Sequence, residues 1–374
     1  MAGIAAFVRD WFREPPPTFE LRAPSARWGQ AKPRQARHAL RVAEVIRETP
    51  STSTFILESS EGGAPRFDYR AGQHLTLLVD AGGTTHRRCY SFSTSPLAGG
   101  LPAITVKRMA DGVVSRHLHE RVRAGDTLVS LDPTGEFTLA IDASARRHLV
   151  LGAGGVGITP LASLAETVLR AEPGSRVTLL CGNRSEDEIV FRRRLDAIAQ
   201  QFAPRFTVQH ALDTAGDGWT GLRGPLDGPR VLKALGDTAA DAYFVCGPEP
   251  MMQSVCATLE AAGVPRDRVH TERFAYASTA GIRIPDHPAE VTFAASGRKV
   301  TARAGQTILQ AGLEAGIDLP FSCTMGGCGA CKVKKQSGTV VMSEPNCLSE
   351  GEREAGYVLA CCAYADSDTI IENH

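Results

Sequence analysis

Cysteine is unevenly distributed along this 374-residue chain, because six of its ten cysteines fall in the last 52 residues. Cys323, Cys328 and Cys331 have the spacing C-x4-C-x2-C, and the adjacent Cys361 and Cys362 follow about 30 positions later. In this spacing four thiolates hold the two irons of a [2Fe-2S] cluster. The pattern therefore predicts an electron-carrying metal centre near the C-terminus.

The loop that holds these cysteines is rich in glycine. Gly326, Gly327 and Gly329 let the backbone bend tightly and direct N–H groups at the sulfurs. A zinc site is the alternative, but zinc ligands usually come as two C-x2-C-like pairs around one metal, and the x4-x2 arrangement does not divide in that way. The spacing favours iron and sulfur, and from the residues alone either Cys361 or Cys362 can complete the set.

A glycine-rich turn follows the apolar run HLVL and precedes a helical pattern. Its glycines are Gly152, Gly154, Gly155 and Gly157. Such a turn brings a pyrophosphate close to the backbone and to a helix N-terminus, although it also serves plain packing of a helix on a sheet. The segment CGPEPMM, residues 246–252, ends another apolar strand of the same predicted sheet, so both turns are expected to face one cleft.

Two further segments have residue types that bind phosphate. In RCYSFS, strand alternation places Arg88 and Tyr90 on one face, which offers a cation for phosphate beside an aromatic plane. The same residues also suit an ordinary strand end. A second candidate anion site is a turn that leads into a short helix, made of Gly112, Val113, Val114 and Ser115.

The surrounding pattern predicts a multidomain chain. Residues 37–144 contain short β-branched runs separated by Gly, Pro and Asp, which predicts an antiparallel β-barrel. Residues 145–276 alternate strands, Gly-rich turns and helices, which predicts an α/β domain with a parallel sheet. After a linker at 277–288, residues 289–374 combine a strand pair, a helix and the cysteine loop in an α+β domain.

Residues 1–36 are an N-terminal extension rich in proline and arginine. From Met1 to Arg41 there are eight basic and three acidic residues. Helical spacing of apolar residues predicts a short amphipathic helix that packs on the protein itself or contacts a membrane surface or partner. These residues are Ile4, Phe7, Val8, Trp11 and Phe12.

Composition excludes several classes of protein. The chain is 43% hydrophobic and 22% charged, with 41 basic and 41 acidic residues, which argues against disorder and against a surface that binds nucleic acid throughout. The N-terminus lacks the pattern of a secretion signal. The longest uncharged run is broken by glycines and a proline, so it does not predict a transmembrane helix. A cytoplasmic location is predicted, where cysteines serve as ligands, redox groups or core residues.

The order of RCYS, GAGGVGITP, CGPEPMM and the cysteine motif resembles the ferredoxin-NADP reductase superfamily joined to a ferredoxin domain of β-grasp fold. More narrowly, it resembles the reductase components of multicomponent oxygenases, among them the phenylacetyl-CoA epoxidase reductases. The resemblance covers about residues 37–374 and leaves out the extension. YVLACCAYA resembles the closing motif of plant-type ferredoxins, which implies that Cys361 is the fourth ligand.

For the flavin, the resemblance implies that Arg88 binds its phosphate, that Tyr90 lies against the isoalloxazine and that Ser91 hydrogen-bonds near N5. The turn at residues 112–115 would hold the pyrophosphate of FAD, and Phe274 would lie against the flavin. The phthalate dioxygenase reductases share the domain order and use FMN. The segments DGVVS and ERF favour FAD here.

For the nicotinamide coenzyme, the resemblance implies that Thr159 and Cys246 flank the nicotinamide, with Gly247 and Pro248 in the same turn. Ser91, Thr159 and Cys246 are then the candidate catalytic residues. The glycines that would face the pyrophosphate are Gly154, Gly155 and Gly157.

Coenzyme preference depends on the segment CGNRSEDEIVF. Arg184 follows the second strand of the parallel sheet, where a guanidinium can meet a 2′-phosphate, and Ser185 can donate as well. Glu186 and Asp187 follow at once and could instead accept a ribose hydroxyl. NADPH is favoured, and NADH stays open.

These parts imply a flow of electrons from NAD(P)H through flavin to the cluster, because nicotinamide gives a two-electron hydride whereas the cluster accepts one electron. The terminal acceptor is expected to be a separate oxygenase, hydroxylase or desaturase. From Ile284 onward there are eleven acidic and seven basic residues, which suits a basic patch on that partner unless the charge is merely scattered. A flavin and iron-sulfur redox sensor is the alternative, but the chain has no helix-turn-helix pattern or basic stripe, and no nucleic-acid partner is expected.

Overall fold

The computed structural model describes residues 36–81, 83–236, 239–274, 277, 279 and 281–372. They fall into two compact units. The first combines His38–Leu75 with Tyr90–Phe274, and the second is made mainly of Thr76–Cys89 and the residues from 275 onward. The N-terminal extension and its predicted helix lie outside the described residues. Within the described ranges, no helix has the length and apolar character needed to cross a membrane.

The first sheet has six strands in the order β4-β3-β6-β1-β2-β5. β1 pairs antiparallel with β2, and β2 pairs antiparallel with β5. Phe55 and Leu57 on β2 are fully buried, so one face of the sheet forms a core. The predicted antiparallel barrel domain is confirmed, as a half-barrel. Its strands are β1 (Arg37–Thr49), β2 (Thr52–Ser59), β3 (His74–Ala81), β4 (Thr84–Ser91), β5 (Ala103–Lys107) and β6 (Thr127–Leu131).

A short helix follows β5 at the position that the turn sequence predicts. α1 (Val113–Arg121) begins after Gly112, whose backbone is extended. Val114 and Leu118, four positions apart, are both fully buried, so one side of the helix is fixed against the core. The turn at residues 112–115 is therefore held in place as a helix N-terminus.

The second sheet is parallel and has the order β10-β9-β8-β7-β11-β12. The predicted α/β domain is thus confirmed. Its strands are β7 (His148–Gly154), β8 (Arg176–Asn183), β9 (Phe206–Leu212), β10 (Leu222–Arg223), β11 (Ala242–Cys246) and β12 (Val269–Glu272). Its helices are α2 (Ile158–Ala171), α3 (Arg192–Gln201), α4 (Gly228–Leu235) and α5 (Glu249–Ala261).

Both faces of this sheet are covered, and this explains the continuous apolar sequence of β7. Every residue of β7 is buried. Leu149 and Leu151 pack in the core shared with α2 and α3, whereas Val150 packs in the core shared with α4 and α5. A strand buried on both sides carries apolar residues without alternation, as the sequence HLVL does.

The third sheet is mixed and has the order β14-β13-β19-β15-β17, with a separate pair formed by β16 and β18. β13 pairs antiparallel with β14 and parallel with β19, which confirms the predicted α+β domain. Its strands are β13 (Ala289–Phe293), β14 (Arg298–Ala302), β15 (Lys332–Ser337), β16 (Val340–Met342), β17 (Tyr357–Leu359), β18 (Ala363–Ala365) and β19 (Thr369–Glu372).

Two short helices with capping boxes complete this domain. α6 (Ile308–Glu314) is capped by Thr307, and α7 (Glu350–Glu354) is capped by Ser349. In each box the cap side chain accepts from the third backbone N–H while the Gln or Glu there reaches back, which satisfies otherwise unpaired groups. The cysteine loop lies between α6 and β15, so its start and its end are both anchored.

Candidate active site and metal centre

The two predicted turns lie side by side in the parallel sheet. β7 and β11 are neighbours, although β8, β9 and β10 come between them in the chain, so the strand order reverses at this point. Their register pairs Ala153 with Cys246 at the carboxyl ends of both strands. Open parallel sheets bind ligands in the crevice outside such a reversal. The backbone therefore places the two turns side by side at one edge of the sheet, as the sequence predicts.

Close approach of these turns requires two of the glycines. A Cβ on Gly157 would lie 2.2 Å from the carbonyl oxygen of Cys246, and one on Gly154 would lie 2.4 Å from Cδ of Pro248. Gly155 has a φ of 51° and open space where its Cβ would be. Gly154 and Gly157 thus have a packing role at the crevice, and Gly155 leaves its backbone accessible.

Thr159 and Cys246 follow the ends of the two neighbouring strands: Thr159 is in the helix after β7, and Cys246 is the last residue of β11. Thr159 lies in the first turn of α2, is 1% exposed and donates from its hydroxyl to the carbonyl of Val156 at 3.1 Å. Cys246 ends β11 with no exposed surface, and burial raises the pKa of its thiol well above the ordinary value. A buried thiol with a raised pKa stays protonated at neutral pH. Pro248 then begins the turn that leads into α5.

A carboxyl that the sequence pattern does not single out joins this group. Glu272 ends β12, and its partner in the sheet register is Cys246. The hydroxyl of Ser91 donates to Oε2 of Glu272 at 3.3 Å. Burial raises the pKa of Glu272 to about 8, against the lowering effect of the hydrogen bond from Ser91. Ser91 and Cys246, two of the predicted catalytic residues, therefore both adjoin one carboxyl that holds its proton at neutral pH.

The barrel candidates lie on β4 and at the start of α1. Tyr90 is half-buried and precedes Ser91 on β4. The N-cap of α1 is Gly112, which has no side chain, and Ser115 accepts from the backbone N–H of Met109 at 3.2 Å. Val113 is exposed. Phe274 is half-buried and packs against the core of the parallel sheet.

The acidic residues near Arg184 are engaged with other side chains. Ser185 donates to Oδ1 of Asp187 at 2.5 Å, and Glu186 forms an ion pair with Arg192 at 2.6 Å. Arg184 itself is exposed directly after β8. Neither carboxylate is therefore held toward Arg184, and its guanidinium faces solvent.

Three thiols of the cysteine loop lie with a fourth, Cys361, which follows β17. Three of them (Cys323, Cys331, Cys361) are buried, and Cys328 is half-buried. Cys323 and Cys328 interact with each other, as do Cys331 and Cys361. The pKa of Cys323 is lowered well below its ordinary value because the thiols of Cys328 and Cys89 hydrogen-bond to it.

Backbone N–H groups of the loop point at the sulfurs. Met325 donates to Sγ of Cys323 at 3.3 Å, and Gly326 donates to Sγ of Cys361 at 3.2 Å. Gly326 has a φ of 71°, a conformation that favours glycine. A Cβ on Gly326 would lie 3.1 Å from Sγ of Cys362. The N–H of Gly326 therefore contacts Cys361, whereas its Cα hydrogen is the part that faces Cys362.

Arg88 belongs to the second unit, with the cysteine loop. It is 2% exposed, and its Nη1 donates to the carbonyl of Arg87 at 2.9 Å and lies 2.8 Å from Sδ of Met325. A buried guanidinium needs polar or anionic partners. Arg88 and Tyr90 are alternate residues of β4, of which Arg88 is buried and Tyr90 is half-buried.

Three families of known domains match the chain. Residues 39–139 match the oxidoreductase FAD-binding domain, residues 151–257 match the oxidoreductase NAD-binding domain, and residues 291–366 match the 2Fe-2S iron-sulfur cluster binding domain. The chain belongs to the ferredoxin-NADP reductase superfamily, with a C-terminal ferredoxin domain. It is an NAD(P)H-driven reductase with FAD and a [2Fe-2S] cluster, of the kind that supplies oxygenase components with electrons.

Relatives of this reductase match over nearly its whole length. One subunit of the 1,2-phenylacetyl-CoA epoxidase from Escherichia coli (strain K12) is 34% identical and covers 90% of this chain and 97% of its own. The ferredoxin reductase component of 3-ketosteroid-9-alpha-monooxygenase from Rhodococcus rhodochrous is 32% identical and covers 88% and 95%. The structure of phthalate dioxygenase reductase is 23% identical, with a TM-score of 0.60 and coverage of 91% and 98%, and shares the fold.

The residues of this reductase suit the iron-sulfur cluster, the nicotinamide coenzyme and the flavin. Four thiols with N–H donors aimed at them suit two irons, which need anionic sulfur ligands and hydrogen bonds to the sulfurs. Glycines at the reversal of strand order bring backbone within reach of a dinucleotide. The buried Arg88 supplies a cation on the strand that carries Tyr90, which suits a flavin phosphate.

Proposed function

We propose that the nicotinamide meets the flavin beside Ser91, Thr159, Cys246 and Glu272. The observation that carries this proposal is the contact from Ser91 to Glu272, which links β4 to β12 next to Cys246. Ser91 and Glu272 form a polar pair, and Thr159 and Cys246 are small, uncharged side chains near the same crevice. Small uncharged residues suit the surroundings of a flat ring.

When bound, the flavin accepts a hydride from the nicotinamide and releases its two electrons one at a time to the cluster. Glu272 keeps its proton on a carboxyl oxygen below about pH 8, so no negative charge lies beside Ser91 in the working range. The Ser91 hydroxyl is thereby oriented, since it donates to Oε2 of Glu272 and keeps its lone pairs available for another donor.

The flavin-binding residues that we propose follow the sequence assignment. Arg88 binds phosphate, Tyr90 lies against the isoalloxazine, and Phe274 lies against the flavin. The N-terminus of α1 at residues 112–115 holds the pyrophosphate of FAD, which is supported by its place at the start of a helix whose N-cap, Gly112, has no side chain. The corresponding domain boundaries are 37–144 for flavin, 145–276 for NAD(P) and 289–374 for the cluster, with a linker at 277–288.

NADPH is the proposed coenzyme. Arg184 is exposed, and the neighbouring carboxylates of Glu186 and Asp187 are paired with Arg192 and Ser185. These carboxylates are then less able to accept a ribose hydroxyl, and the guanidinium is available for a 2′-phosphate. The pyrophosphate lies along Gly154, Gly155 and Gly157, next to the turn of Gly247 and Pro248. The ratio of kcat/KM for NADPH and NADH tests this preference.

The terminal acceptor that we propose is a separate oxygenase, hydroxylase or desaturase in the cytosol. The relatives are parts of an epoxidase and of monooxygenases, which supports an acceptor of this class. The acidic C-terminal domain suits a basic patch on that acceptor, and the basic extension at residues 1–36 suits contact with a partner or a membrane surface. None of the ten cysteines, all of which lie in the described residues, forms a disulfide, which fits a reducing compartment.

The cluster is proposed to be held by Cys323, Cys328, Cys331 and Cys361. Cys331→Ser tests whether the cluster and the flavin have separate roles, because it removes one cluster ligand and leaves the flavin and nicotinamide residues in place. We expect loss of electron transfer to one-electron protein acceptors such as cytochrome c, whereas NAD(P)H oxidation by ferricyanide stays within about twofold of the unsubstituted enzyme. Steady-state assays with both acceptors measure the difference.

Cys362→Ser is the matched control, since it changes the cysteine next to the fourth ligand. This variant should keep the visible absorption of the cluster and both activities. Equal loss of both activities in Cys331→Ser would contradict the proposed separation of flavin and cluster. Loss of the cluster in Cys362→Ser would contradict the choice of Cys361.

A further inference from the structure

The hairpin of β3 and β4 and the cysteine loop belong to the same compact unit, although 246 positions separate Thr76 from Ser322. Arg87 lies over the ring of Phe321 at 5.1 Å, and Nη1 of Arg88 lies 2.8 Å from Sδ of Met325. Residues on both sides of Cys323 are thus contacted by consecutive residues of β4. The next residue of that strand is Cys89, which none of the roles assigned so far uses.

Cys89, which is half-buried, stands at the end of a short row of polar side chains. The hydroxyls of Thr76 and Ser322 lie 2.5 Å apart, and neither residue has exposed surface. The same Thr76 hydroxyl lies 3.1 Å from Sγ of Cys89. Sγ of Cys89 in turn lies within 4.8 Å of Sγ of Cys328, and Cys323 is its other neighbouring thiol.

The donors in this row can be ordered by their chemistry. Cluster-bound thiolates have no proton to donate and can only accept hydrogen bonds. A thiol beside them is therefore directed to donate its S–H to them, and its sulfur is left to accept from Thr76. Thr76 in turn accepts from Ser322. Ser322 donates at the start of this row, Thr76 and Cys89 each donate once and accept once, and each bond polarises the next.

We propose that Cys89, which does not ligate the cluster, donates an S–H hydrogen bond to the sulfur of Cys323 or Cys328 and makes the cluster easier to reduce. The inference rests on the proposed cluster ligands. Reduction adds negative charge to the cluster and its sulfurs, so a donor to sulfur stabilises the reduced form more than the oxidised form. The row from Ser322 through Thr76 orients this donor. Cys89 is thus a positioning residue for electron entry.

Potentiometric titration of the purified holoenzyme, followed by the EPR signal of the reduced cluster, tests this role. Cys89→Ala removes the donor, and we expect one-electron reduction of its cluster to become about threefold to tenfold less favourable, where tenfold is 59 mV. Cys89→Ser keeps a donor and should restore the potential to within about threefold of the original. Thr76→Val keeps the shape and removes the hydroxyl, so a smaller shift in the same direction is expected.

The matched control is Cys256→Ala, a half-buried thiol on α5 of the first unit, which should leave the potential unchanged. The iron and sulfide content of each variant shows whether its cluster is assembled. A variant without a cluster bears on the proposed ligands, whereas a loaded variant with an unchanged potential bears on the hydrogen bond from Cys89. An unchanged or raised potential in Cys89→Ala, or a Cys89→Ser potential as low as that of the alanine variant, would overturn the proposal. If Cys89→Ala takes up no cluster, an unchanged potential in Thr76→Val overturns it instead.

Discussion

At the scale of single residues, the sequence motifs locate most of the candidate site because the chemistry depends on local spacing. Cys323, Cys328 and Cys331 lie in one loop, and Thr159 follows a glycine turn by two positions. The sequence motifs do not single out Glu272, because its place beside Ser91 depends on two strands that are far apart in the chain. The available signal was a carboxylate at the end of the last strand of the parallel sheet, at the edge where ligands bind.

Glu272 should make stability depend on pH. Its pKa is about 8 in the folded chain, against an ordinary value of 4.5, so the folded state keeps a proton that the unfolded chain releases between these values. Stability contributed by this proton is present at low pH and is lost as pH rises toward 8, by up to about 1.4 kcal/mol per pH unit. Glu272→Gln is neutral at every pH and should lose that dependence.

Urea unfolding of the two proteins at pH 6 and pH 8 measures the effect. The midpoint of the unsubstituted reductase should fall more between these pH values than that of Glu272→Gln. Parallel pH profiles for the two proteins would show that Glu272 titrates at its ordinary pKa.

At the scale of elements, the pattern of apolar residues predicts where strands and helices lie along the chain. It does not predict the contacts that an element makes with a neighbour that is distant in the sequence. The fully apolar β7 and the helix after it follow from burial on both faces. The sequence does not show that Gly154 and Gly157 are needed because the turn after β11 presses against them. That requirement comes from a strand about 90 positions away, which no local spacing reports.

Gly157→Ala should disturb the crevice. Its Cβ would lie 2.2 Å from the carbonyl oxygen of Cys246, so one of the two turns must move. We expect a loss of stability of about 1–3 kcal/mol and weaker binding of NAD(P)H. Thermal unfolding and coenzyme titration measure the two effects.

Gly152→Ala is the control, since its Cβ would meet only the methyl groups of Val245, the nearest at 3.7 Å. That variant should bind coenzyme normally. Equal behaviour of the two variants would show that the turns are not in close contact.

At the scale of the whole molecule, the order of the motifs predicts three domains and their cofactors, and the matching families bear this out. The sequence does not predict that the hairpin of residues 76–89 groups with the C-terminal domain, because contacts such as Thr76 with Ser322 join distant segments. The net charge of zero combines a basic N-terminal extension with an acidic C-terminal domain.

Anaerobic titration of the holoenzyme with NADPH, followed by visible absorption and EPR, tests the central claim that electrons pass from coenzyme through flavin to the cluster. The flavin should bleach and the EPR signal of a reduced [2Fe-2S] cluster should then develop, with about three electrons taken up per chain. A cluster that stays oxidised after the flavin is fully reduced would contradict the claim.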